Sequence, residues 1–297
     1  MQSRLEGVRV AVLGGDGRQV LLVAELGKLG ARVKVIGLSG IQENSRVTIH
    51  SSLEETVRDA QVVLLPMPGV NDEGRIFAPQ INIPLHLTAG VVEKIPPGAP
   101  ILVGVAKRYL RELLAEKQRK LVEVAELDNV AILNSIPSAE GAIQMAMEAV
   151  PITIHNSNSF VLGYGRTGIT LARMLKGIGA KVWVAARKPG DLARIEEQGY
   201  RPVPFPELGG YIQQADLIFN TVPAMVLDKN LLTKVSREAY ILDLASTPGG
   251  TDFLAASNLG IKAVLAPGLP GKVAPKTAGQ ILIQVIPDLV CKLLALE

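Results

Sequence analysis

A repeated opening limits what this 297-residue chain can fold into. Residues 8–37, VRVAVLGGDGRQVLLVAELGKLGARVKVIG, return in altered form as residues 158–187, NSFVLGYGRTGITLARMLKGIGAKVWVAAR. At a single offset Leu13-Gly14 falls on Leu162-Gly163, Gly30-Ala31 on Gly179-Ala180, and Val33 and Val35 on Val182 and Val184. Each copy reads as an apolar strand, a Gly-rich turn, a helix and a β-branched strand, the opening of a βαβ unit. With changed offsets, DAQVVLLPMP (59–68) resembles QADLIFNTVP (214–223), and GAPILVGVA (98–106) resembles EAYILDLA (238–245). Short apolar runs separated by helical patterns specify a parallel sheet covered on both faces.

The expected fold is α/β: two Rossmann-like, doubly wound, parallel-sheet domains with an interdomain cleft as the ligand site. The sequence divides as 1–137, a substrate or catalytic domain; 138–280, a dinucleotide-binding domain whose residues 138–150 form a linking helix; and 281–297, a C-terminal helix returning to the first domain. In NSIPSAEGAIQMAMEAVP, Ser138 follows Pro137 and reads as a helix N-cap, with the helix ending before Pro151. From Thr277 onward, Ile281, Leu282, Val285, Ile286, Leu289, Val290, Leu293 and Leu294 recur at helical spacing. Pro287 should kink or interrupt that helix.

Composition narrows the function classes. Hydrophobic residues make up 48%, charged residues 20% and aromatics 4%, which excludes a disordered chain and a stacking-based single-strand nucleic-acid binder. The net charge of +3 gives little pull toward a polyanion. Cys291 has no internal partner and is expected to pack in the apolar C-terminal segment. His50, His86 and His155 lie far apart in sequence, so no metal site is expected on them. No apolar run reaches membrane-spanning length, and Arg4, Glu6 and Arg9 interrupt any signal-peptide core. The expectation is a soluble, cytoplasmic protein.

The two Gly-rich turns differ where a phosphate would sit. The second copy reads Gly163-Tyr164-Gly165-Arg166-Thr167-Gly168, a complete GxGxxG between strand and helix. Gly163 permits the turn, Gly165 lets the backbone approach a pyrophosphate, and Gly168 lets helix and strand pack closely. The phosphate would rest on N–H groups at the helix start, where Arg166 and Thr167 are the candidates. The first copy places Asp16 and Gln19 at the second and third glycine positions. A carboxylate there repels pyrophosphate, so only the second domain is expected to bind the cofactor. The first turn would instead offer Arg18 and backbone amides to a smaller anion.

The next strand of the second copy ends Val184-Ala185-Ala186-Arg187-Lys188. An acidic residue near that point would accept from the ribose 2′-hydroxyl of NAD. Two cations, Arg187 and Lys188, favour the 2′-phosphate of NADP, although Asp191 is close and NAD remains open. Asn220-Thr221-Val222-Pro223 and Asp243-Leu244-Ala245-Ser246 follow two further strands; Thr221, Val222, Pro223, Leu244 and Ala245 are expected to edge the nicotinamide and its ribose. The Pro/Gly-rich loop Ala266–Gly279 brings Lys272, Lys276 and Thr277 to the start of the last helix.

At these motifs the chain resembles a known family. VAVLGGDGRQ, LNSIPSAEG, VLGYGRTGITLAR, LDLASTPGGTDF and LAPGLPGKVAPKTAGQIL resemble the dipicolinate synthase A-subunit family of spore-forming bacteria, from about Val8 to Ile283. The second half is also similar to the nucleotide domains of alanine and hydroxyacid dehydrogenases. The resemblance implies an oxidoreductase that takes dihydrodipicolinate, derived from 4-hydroxy-tetrahydrodipicolinate, to dipicolinate (pyridine-2,6-dicarboxylate). That reaction branches from lysine biosynthesis and serves sporulation in the mother cell. It implies NADP or NAD as acceptor, the flavoprotein-like B-type polypeptide of dipicolinate synthase as partner, and a homo-oligomer.

A substrate with two carboxylates needs cations, hydroxyls or helix N-termini around it. Arg18, Ser135, Ser138, Lys276 and Thr277 are the candidates for binding it. Ser135, Ser138, Glu140 and Lys276 are the candidates for catalysis; Glu140, Lys276 or water would take the proton. The alternatives are a non-catalytic NADP-binding sensor or regulatory subunit, or another small-acid dehydrogenase.

Overall fold

A computed structural model describes residues 4–296 and resolves the repeat into two sheets of one topology. The chain forms two compact units: residues up to Ala131 together with those from Pro275 onward, and residues Ile132–Ala274. The first unit contains β1 (Arg9–Leu13), α1 (Gly17–Lys28), β2 (Arg32–Ile36), β3 (Val47–Ile49), α2 (Leu53–Val57), β4 (Val62–Leu64), α3 (Ala89–Lys94), β5 (Ile101–Val103), α4 (Arg108–Glu116) and β6 (Leu121–Glu123). Its six strands are parallel in the order β3-β2-β1-β4-β5-β6.

Both faces of this sheet are covered, which explains the lack of polar alternation in its strands. Val10 and Val12 of β1 point to one face with Leu22, Val23 and Leu26 of α1. Ala11 and Leu13 point to the other with Val63, Leu110 and Leu114.

Next comes α5 (Asp128–Ala149), followed by β7 (Asn158–Leu162), α6 (Arg166–Ile178), β8 (Lys181–Ala186), α7 (Pro189–Glu197), β9 (Arg201–Pro204), β10 (Leu217–Asn220), α8 (Lys229–Leu232), β11 (Tyr240–Asp243), α9 (Phe253–Asn258) and β12 (Lys262–Leu265). The strands order as β12-β11-β10-β7-β8-β9, all parallel. Read from the other edge, this repeats the first sheet strand for strand. The segments matched in the sequence, 59–68 with 214–223 and 98–106 with 238–245, carry β4 with β10 and β5 with β11. Each sheet reverses its winding beside the first strand of its copy, the switch point where doubly wound folds bind ligands. α10 (Leu269–Val273) and α11 (Pro275–Leu293) complete the chain.

Two expectations about prolines are corrected. Pro137 does not precede a helix; it lies inside α5, so Ser138 is not an N-cap and no helix N-terminus exists there. Pro137 brings no N–H to Leu133, but nearby hydroxyls bond the neighbouring carbonyls: Ser135 Oγ donates to Ile132 O at 2.6 Å and Ser138 Oγ to Asn134 O at 2.8 Å. Burial of Ala139, Ala142, Ile143 and Ala146 offsets the cost of an internal proline. Likewise α11 runs through Pro287 without interruption, held by Leu282, Val285, Ile286 and Val290 in the same core as β1 and α1. Cys291 joins that core.

The start of α1 is closed by its own residues. Asp16 is the N-cap and accepts from the Arg18 backbone N–H at 3.0 Å, while the Asp16 N–H donates to Gln19 Oε1 at 3.2 Å. This is a reciprocal capping box, with Gln19 in the role usually taken by Glu or Gln. The Arg18 guanidinium, buried with 8% exposure, folds back onto the same carboxylate through Nε at 2.9 Å and Nη2 at 2.7 Å. Burial pushes the Asp16 carboxyl up, but the Arg18 hydrogen bonds and charge outweigh it and hold the pKa below its ordinary value.

A carboxylate whose pKa is lowered by folding stabilises the fold above its unfolded value, about 3.9, and loses that contribution as pH falls through the folded value. Asn keeps the cap but not the charge. Asp16→Asn should therefore lower stability at neutral pH by about 1–3 kcal/mol and flatten the acid dependence below about pH 4. Urea denaturation at pH 7 and pH 3 checks both; an unchanged acid dependence would remove Asp16 from this role.

Candidate functional site

The turn between β7 and α6 has the geometry of an anion cradle. Gly163 adopts φ +100°, a left-handed conformation that a side chain would strain, and a Cβ there would lie 2.6 Å from Thr221 Oγ1. A Cβ on Gly168 would lie 2.1 Å from Gly163 O, so helix and strand meet only because both residues are bare. Gly165 differs: nothing lies within 4 Å of the place its Cβ would occupy. It is the N-cap of α6 and gives that helix no side-chain cap. The first-turn N–H groups of a helix lack intrahelical acceptors. At α6 the N-cap offers these groups no side-chain acceptor, and the positive end of the helix dipole lies behind them. These residues fit a dinucleotide pyrophosphate.

The corresponding turn of the first unit is filled twice over. Asp16, at the position of Gly165, puts its carboxylate on the α1 amides. The Gly15 N–H is taken by Phe77 O at 2.8 Å, and a Cβ on Gly14 would meet Ile76 and Phe77. A phosphate there would meet the Asp16 carboxylate and compete with it for the Arg18 amide.

Around the α6 turn, Thr221 Oγ1 donates to Leu162 O at 2.9 Å, tying the end of β10 to that of β7. Thr221, Val222 and Leu244 are half-buried, Ala245 is buried and Pro223 is exposed. All five lie just past β10 or β11. Arg187 and Lys188 are exposed at the end of β8, with Lys188 capping α7 and Asp191 in the first turn of that helix.

Two polar side chains that sequence reading passed over lie under these exits. Asn220 and Asp243, each the last residue of its strand, are fully buried at 0% exposure. Asp243 accepts four hydrogen bonds: from Ala245 N at 3.0 Å, Gly250 N at 2.9 Å, Thr251 Oγ1 at 2.7 Å and Asn220 Nδ2 at 3.0 Å. Asn220 also accepts from Val222 N and donates to Val222 O. The available signal was a polar residue closing each of two otherwise apolar strands, LIFN and YILD.

The substrate candidates fare unevenly. Ser135 is 1% exposed and its hydroxyl lies 2.6 Å from Thr170 Oγ1, so it is a packing contact between α5 and α6 rather than a free catalytic or binding group. Ser138 is engaged with its own helix. Glu140 lines a shallow groove with Met147, Met174 and Ile178. Met174 is nine residues along α6 from Gly165, about 13 Å of helix axis, which takes Glu140 away from the phosphate turn. In the first unit, by contrast, α11 meets α1 closely: a Cβ on Gly279 would be 3.4 Å from Arg18 Cα and 2.7 Å from Leu21 Cδ1. That contact brings the exposed Lys276 and Thr277, one turn earlier on α11, toward the start of α1. Lys272 is exposed on α10.

A doubly wound unit with an uncapped glycine turn at its switch point fits a dinucleotide, and residues 137–246 match the model of the D-isomer specific 2-hydroxyacid dehydrogenase NAD binding domain, which makes this unit the nicotinamide-binding domain of a dehydrogenase. Residues 9–125 match that of the N-terminal domain of the dipicolinate synthase A subunit. The dipicolinate synthase A subunit of Bacillus subtilis (strain 168) is 39% identical over 294 residues, 99% of each chain. The crystal structure of the same subunit from Bacillus halodurans superposes with a TM-score of 0.92 at 39% identity, covering 96% of this chain and 98% of that one. The crystal structure of the Bacillus subtilis protein gives 0.92 at 38% identity over 100% of both. The chain belongs to the dipicolinate synthase A-subunit family.

Gly165→Asp should recreate the closed end of α1 on α6. Asp is the better N-cap by a few tenths of a kcal/mol, so thermal stability without cofactor should hold or rise slightly. Dinucleotide binding should be lost in a fluorescence titration; retained binding would place the cofactor elsewhere.

Proposed function

We propose that the chain is the dinucleotide-dependent subunit of a dipicolinate synthase, oxidising dihydrodipicolinate to dipicolinate with NADP as the preferred acceptor. The observation that carries this reading is 39% identity to a dipicolinate synthase A subunit over 99% of both chains, together with the α6 turn left open at Gly165. The reaction removes one hydride and one proton from a dihydropyridine and leaves an aromatic ring, so product stability drives it. When bound, the nicotinamide supplies the hydride acceptor. The chain's own part is to hold the dinucleotide on the α6 amides and to orient a dicarboxylate.

In this reading the dicarboxylate is met by Arg18, Lys276 and Thr277 of the first unit, while Ser135, Ser138 and Glu140 drop out of the site. Lys276 is exposed and supplies a positive charge at the first turn of α11. Arg18 is held by Asp16, which fixes its direction before any ligand arrives. The reading places the protein in the cytoplasm of the mother cell during sporulation, on a branch from lysine biosynthesis, as a homo-oligomer working with the flavoprotein-like B-type polypeptide of the synthase. No helix among the described residues is long and apolar enough to cross a membrane.

Cofactor choice rests on Arg187 and Lys188. Arg187→Asp should weaken NADP by about 1.5–3 kcal/mol, roughly 10- to 100-fold, and spare NAD. Equal losses for both dinucleotides in parallel titrations would refute a contact with the 2′-phosphate.

The substrate set is tested by calorimetry with dipicolinate at saturating NADPH. Lys276→Ala should weaken the product by about tenfold, as expected for one charge-assisted contact, and leave NADPH affinity within about twofold. Arg18→Ala should act in the same direction after correction for folded fraction. Parent-like affinity in both variants would move the dicarboxylate site elsewhere. Turnover of dihydrodipicolinate, assayed with and without the flavoprotein-like partner, tests the reaction itself.

A further inference from the structure

Asp243 carries more hydrogen bonds than a strand end needs. Its Oδ2 receives Asn220 Nδ2, Gly250 N and Thr251 Oγ1, and its Oδ1 receives Ala245 N. These donors belong to two segments, the exit of β10 and the long exit of β11. The segments are further joined where Val226 and Leu227 N–H both donate to Gly250 O at 2.9 Å. A Cβ on Gly250 would lie 2.3 Å from Ala224 O and 2.5 Å from Val222 O, so the two exits are in direct backbone contact. All four of these donors are neutral groups, so the buried carboxylate is met by the dipoles of the two loops.

The strand order sets what such a device is for. The pyrophosphate cradle lies at the end of β7, with β8 and Arg187 on one side and β10 and β11 on the other. A dinucleotide lying across this edge with its adenosine toward β8 has its nicotinamide over the exits of β10 and β11. We propose that Asp243 is a positioning residue for the nicotinamide half of the cofactor. Its carboxylate presets residues 220–223 and 244–251 as one rigid ledge before the cofactor binds, so that ordering them takes nothing from the binding energy. The inference rests on the dinucleotide-binding part of the reading above and not on the identity of the substrate.

The test is Asp243→Asn, which keeps shape and volume. Three donors converge on Oδ2, so the remaining oxygen of Asn belongs there, and its NH2 then faces the Ala245 N–H donor to donor. Affinities are measured for NADPH and for 2′-phospho-ADP-ribose, which lacks the nicotinamide, and likewise for NADH and ADP-ribose. The expected result is a split: about tenfold weaker binding of the whole dinucleotide, with the truncated ligand within about twofold of the parent. Amide hydrogen exchange at Ala245 and Gly250 in the free protein should quicken. Thr251→Val removes one donor and leaves the backbone alone; it should give the same split at about threefold and covers the case in which Asp243→Asn fails to fold. Equal weakening of whole and truncated ligands would mark a merely structural residue and overturn the proposal, as would no change in either. A parent protein that binds dinucleotide but fails to oxidise dihydrodipicolinate would overturn the substrate reading alone.

Discussion

The first turn of a helix presents amide groups that must find an acceptor, and this chain meets that demand in two opposite ways. At α1 the acceptor is internal: the Asp16 carboxylate, itself clamped by Arg18. At α6 the N-cap is Gly165, which has no side chain to offer as an acceptor. That pair of positions decides whether the first helix of a unit carries its own acceptor or leaves the place for a ligand to fill. The supporting glycines conform to it. Gly163 and Gly168 are in tight contact and permit the approach of strand and helix, while Gly165 stands in open space where a ligand can come.

The second constraint is burial on both sheet faces. In the second unit Val161, Val184 and Leu242 pack on one face, and Phe160, Leu162, Ala185 and Ile241 on the other. A polar residue at the end of such a strand has no water to turn to, so it must be fully hydrogen-bonded or be very costly. Asn220 and Asp243 meet that requirement by binding the loops that follow them. The same rule that makes the strands featureless in sequence gives their last residues an exacting set of partners.

Much of the architecture was legible because the repeat is long and its punctuation chemical. Gly14 against Gly163 and Val33 against Val182 locate equivalent turns and strands, and strand order then follows from the parallel winding. The contrast between Asp16 and Gly165 was legible for the same reason. Pro137 misled because local propensity reads a proline before a serine as a helix start, whereas the buried alanines that follow it keep α5 intact. For Ser135 and Glu140 sequence gives nearness along the chain but not which side of a helix each occupies: one faces Thr170, the other a groove beside Met174. The partners of Asp243 were not legible, since they depend on how residues 244–251 loop back, which no periodicity encodes.

The position of α11 also sets the order in which the molecule can be completed. Its Leu282, Val285, Ile286 and Val290 close the core that β1 and α1 begin, and Cys291 Sγ reaches Arg4 O across 287 positions of chain. The second unit is contiguous, Ile132–Ala274, and all its residues are synthesised before Pro275. On the ribosome, then, the half made first is finished last. Until α11 emerges, Val10, Leu22 and Leu26 lack the part of their core that Leu282, Val285, Ile286 and Val290 supply. The usual order, in which all of an N-terminal domain is available first, is reversed. Apolar surface bared on a nascent chain invites aggregation, so here the oldest residues wait for cover until α11 is free of the exit tunnel.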